Sequence, residues 1–289
     1  MRDINLMSDQ EIEKHAEQII ENEIKQNMLY HYTSIDILSK ILSNPIMYNG
    51  EICIELRASS IFSMNDSSEI IHASEHLLSS LKSVESQLNK ADEKLFLSKY
   101  VNEKTESGMY IKDIILKELP NMWNMVSALS FSSNADSLQM WAMYANNGNG
   151  VALGFNENNL NEYAQNFNIP SLLCKVSYLE ENLPKEIVAL IEGLYNKYIK
   201  EVNMNSIPNV ECQMLYILLM CSIIGASVKH NAYRSENEYR IISNTNQLDN
   251  VKFDTNGKGH RFAYITHLVP IKAGSFYLIS SPKPAEPII

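Results

Sequence analysis

Cysteine, tryptophan and positive charge are all scarce in this chain. Its 289 residues include four cysteines and two tryptophans, and 24 Lys+Arg stand against 34 Asp+Glu, a formal net charge of −10. Cys53, Cys174, Cys212 and Cys221 form no C-x-x-C pair and sit in apolar strings such as EICIEL and LLMCSII. Cysteines placed this way pack as small buried hydrophobes, which argues against a disulfide framework or a structural zinc site. A reducing, cytoplasmic setting is the expectation. The acidic balance argues against a protein that holds nucleic acid by coating phosphates with Lys and Arg. The most apolar of the long uncharged runs, Gln213 to Val228, falls short of the roughly 20 apolar residues of a bilayer span. It reads as a buried helix, and no membrane partner is expected. The first residues, MRDINLMSDQEIEKHAEQ, are polar and acid-rich, unlike the basic, apolar, then small-residue order of a secretory signal.

What is present is a mixture of strand and helix signals. Residues 9–28 read as a polar helix with Ile12, Ile19, Ile20 and Ile24 as an apolar stripe. A short strand at 29–32 follows, then a helix opened by Ser34 and running to about Leu42. Asn49-Gly50 marks a turn before the strand ICIELRAS. Helical stretches are predicted from Asp66 to about Val101 and around 109–119. SALSFSS (127–133) and VALGF (151–155) read as strands flanking a short helix at 136–145. Residues 160–230 are expected to be mostly helical, broken at Pro170, Pro184 and Pro208. EYRIIS (238–243), FAYITHLVPI and SFYLIS close the chain as strands. Strands bracket helical blocks without regular alternation, so an α+β domain over 29–289 is predicted, preceded by an N-terminal helix at 1–28.

His72-Ala-Ser-Glu75-His76 fits the H-x-x-E-H pattern of inverted zinc peptidases. Ile70, Ile71, Leu77, Leu78, Leu81, Val84 and Leu88 define the apolar face of that helix at 3.6-residue spacing. The two histidines and Glu75 fall on the opposite, solvated face, whereas a catalytic zinc needs a clefted position and further support. A surface helix is the preferred reading, with no metal.

Three separated strings carry more chemistry. LYHYTSIDILSKIL puts His31 at a strand end before a helix. LSFSSNADSLQMWAMYA is a strand and a helix with Trp141 and Tyr144 three apart on one face. RSENEYRIIS reads as a strand with Glu236, Glu238 and Arg240 on one face by period-2 alternation. Taken singly, each has a plain structural meaning: a hydrogen-bonded histidine, a core aromatic pair, and an ion pair of Glu with Arg.

Together and in this order the strings resemble the ADP-ribosyltransferase superfamily in its histidine–tyrosine–glutamate form, as in poly(ADP-ribose) polymerase catalytic domains. The chain is more closely similar to a bacterial domain family of unknown function with HYT, FxxxND (here FSMND), MWxxY, GVxLGF and ExEYR motifs. The matched segments are roughly 29–69, 127–155 and 231–243. The resemblance implies a split antiparallel sheet with helical insertions at about 70–126 and 160–230. It also implies an NAD-dependent transferase that moves ADP-ribose to a macromolecular acceptor, protein or nucleic acid, as a toxin or an antiphage effector. A module on the same fold that binds a nucleotide or nucleic acid without turnover is the alternative.

By that resemblance Glu238 stabilises the positive charge developing on the ribose, and Glu236 serves the acceptor as in arginine-modifying transferases. His31, with Tyr32 and Thr33 beside it, holds the adenosine ribose, and Tyr144 stacks on nicotinamide with Trp141 walling the pocket. Ser130 and Ser132 line the same substrate, and Arg57 suits its pyrophosphate. Tyr32 stands where the polymerases carry glycine, which would remodel the adenosine side.

Overall fold

The structure is a computed structural model that describes residues 27–61, 68–87, 97–118, 126–179, 210–244, 251–255, 261–271 and 276–280, with scattered residues between 185 and 196. The expected N-terminal helix and the FSMND string lie outside the described residues. The fold is mixed α/β with antiparallel sheet, and the chain sorts into two compact units.

The first unit takes Met1–Glu55, Phe131–Asn166 and Leu268–Ile289. Strand β1 (Met28–Ser34) runs directly into helix α1 (Ile35–Ser43). Ser34 makes the change possible: its backbone is extended while its Oγ accepts the Ile37 N–H at 3.3 Å. Asp36 in the first turn and Lys40 in the last complement the helix dipole. Strand β2 (Ile46–Tyr48) pairs with the start of β3 (Glu51–Ser60) in the register Met47↔Ile52. Between them Asn49 and Gly50 sit at φ 52 and 81, the left-handed pair that a two-residue hairpin turn requires. The end of β4 (Val126–Ser132) lies antiparallel to β1, with Tyr30 opposite Ser132. Strand β5 (Gly150–Asn156) pairs antiparallel with β1, and β12 (Phe276–Ser280) pairs with β5.

Helix α5 (Leu138–Tyr144), capped by Ser137, packs Met140 and Trp141 on the sheet face that carries Met28, Tyr30, Tyr32 and Ala152. Each such large side chain, once buried, contributes roughly 1.5–3 kcal/mol. The register puts Gly154 opposite Tyr30 and Ala152 opposite Tyr32, so small residues leave room for two rings. Helix α6 (Glu157–Asn166) follows β5, its first turn held by Asn156 Oδ1, which accepts from Asn158 N at 3.0 Å.

The second unit takes Leu56–Ser130 and Phe167–His267. Here the end of β3 pairs with the start of β4, Ser59 opposite Ala128. Strand β6 (Ser171–Lys175) pairs with β9 (Glu238–Asn244), and β9 also pairs with β4. Strands β10 (Lys252–Thr255) and β11 (Arg261–Pro270) form a hairpin. Strands β7 (Ser177–Leu179) and β8 (Val228–His230) make a short parallel pair. Helix α2 (Ser68–Gln87) packs Ala73, Leu77, Leu78 and Leu81 against Ile217, Cys221 and Ile224 of α7 (Val210–Ser227). Helices α3 (Leu97–Val101) and α4 (Ile111–Glu118) close the same core through Val101 and Ile115.

One correction to the sequence expectation concerns the start of the second helical block. Residues 171–179, expected within a mostly helical block, form β6 and β7. Pro170 disfavours a helical residue before it, and Asn244 N donates to Pro170 O at 2.9 Å, so the chain leaves the proline already paired with β9. Helix α7 is the buried helix expected from the uncharged run. Among the described residues no helix is long and apolar enough to cross a membrane.

Candidate functional site

Strand alternation decides where the first unit's candidates go. Tyr30 and Tyr32 occupy one face of β1, while Leu29, His31 and Thr33 occupy the other. The Tyr32 hydroxyl donates to Asn134 O at 2.7 Å, and its ring meets Trp141 edge-on at 4.7 Å and 75°. Burial pushes the Tyr32 phenol up to about 12. Trp141 is equally committed, since its Nε1 donates to Asp136 Oδ1 at 2.7 Å. Tyr144, half-buried, packs against the same cluster. His31 is half-buried on the opposite face, its ring 5.9 Å from Phe131. Thr33 and Ser132 are buried, and Ser132 Oγ accepts the Asn134 N–H at 3.1 Å. Thus Tyr32, Trp141 and Tyr144 come together, and His31 lies across the strand from them.

In the second unit Arg57 is a surface residue. Its guanidinium pairs with Asp254 at 2.6 Å, both side chains about half exposed, and lies 4.4 Å from the centre of the Tyr264 ring.

Glu236 and Glu238 are buried, at 1% and 4% relative exposure. Both were expected on one strand face. Glu236 instead closes a 3₁₀ turn, Asn231–Glu236, and Asn237 at φ 44 and ψ 50 turns the chain before Glu238 opens β9. Asparagine tolerates this left-handed conformation better than most residues. The turn brings both carboxylates to one ammonium: Lys229 Nζ is 2.6 Å from Glu236 Oε2 and 3.3 Å from Glu238 Oε2. Arg240, two residues along β9, grips Glu238 with two donors, Nε to Oε1 at 2.8 Å and Nη2 to Oε2 at 2.9 Å. Its Nη1 donates to Ala226 O at 2.8 Å, in the last turn of α7, where a cation suits the helix dipole. The Glu238 N–H donates to the Tyr178 hydroxyl at 3.0 Å, and Lys229 Nζ sits 4.7 Å from the centre of the Tyr233 ring.

Two carboxylates and two cations balance inside a low-dielectric interior. Burial raises the Glu238 carboxyl, but the charges of Arg240 and Lys229 outweigh it. Hydrogen bonding by Arg240 and the neighbouring Ser130 hydroxyl adds to the same side, so the net shift is downward. Glu238 is therefore an anion at neutral pH. Such a cluster contributes little stability beyond what an apolar replacement would give, because desolvation offsets the attraction. Removing any one member strands its partner, which costs about 3–5 kcal/mol.

Lys229 and Tyr178 were not singled out from sequence. A usable signal for Lys229 existed: it is the first charge after the uncharged run, seven residues before Glu236. In the HASEH string Glu75 is exposed and His76 half-buried, while Ala73, Leu77 and Leu78 face the core. The His72 side chain lies outside the described residues.

A family model described as a protein of unknown function, DUF2971, matches residues 140–241. That stretch contains Trp141, Tyr144, Lys229, Glu236, Glu238 and Arg240, so the chain is similar there to a domain family of unknown function. No curated protein and no solved structure matches the chain.

Proposed function

We propose that the chain is an NAD-dependent ADP-ribosyltransferase with Glu238 as the carboxylate that serves the reacting ribose. The observation that carries this reading is a buried carboxylate held as an anion beside a second carboxylate, at the position where the resembled transferases carry their glutamate. Buried carboxylates with shifted pKa values concentrate at functional sites, and this one is a poor stability device.

In the proposed step the bond between ribose C1′ and the nicotinamide nitrogen breaks, and its electron pair leaves with nicotinamide. The ribose becomes oxocarbenium-like, and the Glu238 anion stabilises that charge. A lone pair of the acceptor forms the new bond to C1′, and the acceptor's proton passes to Glu236. The acceptor is a protein or nucleic acid, in keeping with a toxin or antiphage effector, and no metal is assigned a part.

A specific observation favours a second reading, a binding module without turnover. Both Glu238 oxygens already accept hydrogen bonds, from the Arg240 fork and from Lys229. The two readings separate when purified protein is incubated with adenine-labelled NAD and candidate acceptors. Release of nicotinamide with label on an acceptor is the expected result. NAD binding by calorimetry without any nicotinamide release would overturn the transferase reading in favour of the module.

A further inference from the structure

We propose that Lys229 is a built-in gate of this site, an internal cation that covers Glu238 until substrate charge develops there. The inference rests on the transferase reading. Of the two cations on Glu238, one is anchored and one is exchangeable. Arg240 holds both oxygens with a planar fork and is itself tied to Ala226 O at 2.8 Å, so it stays. Lys229 contacts Glu238 at 3.3 Å but Glu236 at 2.6 Å; the longer contact is the weaker one. Its ammonium is a point charge on a flexible stem, unlike the fixed geometry of arginine.

Leaving Glu238 does not strand that ammonium in apolar surroundings. It keeps Glu236, and the Tyr233 ring, 4.7 Å away at its centre, offers a face for the cation. In the resting state Lys229 therefore neutralises the lone pair on Glu238 Oε2 that the ribosyl cation needs. Glu236 is the residue that draws the gate aside, so one glutamate controls the availability of the other. A positive substrate competes with Lys229 for Oε2.

The test is nicotinamide release from NAD in water by wild type, Lys229→Met, Lys229→Gln and Lys229→Arg. Lys229→Gln is neutral but keeps a hydrogen-bond donor toward Glu236, and serves should Lys229→Met fail to fold. Thermal melts establish that each protein is folded. Release by Lys229→Met or Lys229→Gln should rise about tenfold over wild type, roughly the effect of one charge-assisted hydrogen bond no longer competing. Lys229→Arg, which keeps a cation, should not exceed wild type. A gain in rate cannot come from structural damage. If wild type releases nicotinamide and the folded neutral variants do no better, the gate is wrong and the transferase reading stands. An equal rise in Lys229→Arg would also overturn the gate, because charge would then not be the cause. Release by none of the four would overturn the transferase reading and the gate together.

Discussion

At single residues the structure shows which parts of the motif strings are fixed by packing. The glycine opening GVALGF is packing: a Cβ at Gly150 would lie 2.3 Å from Thr33 O and 2.7 Å from Ala145 Cβ. Both neighbours are fixed by backbone, so Gly150→Ala should destabilise the protein by about 1–3 kcal/mol, the range for overpacked cores. At Gly154 the nearest atom is a Tyr30 ring carbon at 3.0 Å, a side chain that can shift, and Gly154→Ala should cost less. Urea midpoints of the two variants check the order. Tyr32 also packs, its ring against Trp141. Tyr32→Phe keeps the ring against Trp141 but loses the bond to Asn134 O, an expected loss of about 1 kcal/mol in stability. An unchanged midpoint would show that the Tyr32 hydroxyl is not committed to the core.

At the scale of elements, what sequence could foretell was what neighbours in the chain determine. Helix α1 was legible because Ser34 caps it, and α7 because its run of uncharged residues suits burial on every side. Strand β6 was not, since SLLCK lacks clean alternation and owes its state to pairing with β9. The bend between the two glutamates was hidden too: ENEY reads as strand, and only the left-handed Asn237 shows otherwise. The partner of both carboxylates depends on the 3₁₀ turn that folds Lys229 back, so the resemblance could place Glu236 and Glu238 but not their company.

A further contact between elements was beyond sequence. Glu85, buried near the end of α2, accepts from the Ser98 backbone N–H at 3.0 Å and from the Ser98 hydroxyl, and so caps α3. Glu85→Ala leaves buried donors without their acceptor, and a loss of about 1–3 kcal/mol is expected. Hydrogen exchange should localise the change to 97–101, and unchanged protection there would contradict the capping role.

For the molecule as a whole, two buried groups among the described residues shape its response to acid. His267 is fully buried, stacked on Phe167 at 4.4 Å and bonded to Ser243 Oγ at 3.1 Å. Burial lowers its pKa from 6.5 to about 3. The unfolded chain therefore binds a proton at His267 between those values and the folded chain does not, so stability falls as pH drops from about 6.5 toward 3. At pH 5 this single group should cost about 2 kcal/mol relative to pH 7 and above. Glu238 acts in the same direction: its lowered pKa gives stability present above the unfolded value of 4.5 and lost as pH falls below it. His267→Gln should flatten the profile between pH 7 and 5, as read by urea midpoints, while the steeper loss below 4.5 persists. An unchanged slope in that variant would mean that His267 is protonated in the folded protein. The proposed chemistry requires the Glu238 anion to stabilise a ribosyl cation. Nicotinamide release from NAD by wild type and by Glu238→Gln, compared at a temperature where melts show both to be folded, tests it most directly. Release by wild type and a fall on the order of 10²–10³ in the variant are expected; equal release by both proteins would contradict a catalytic role for Glu238.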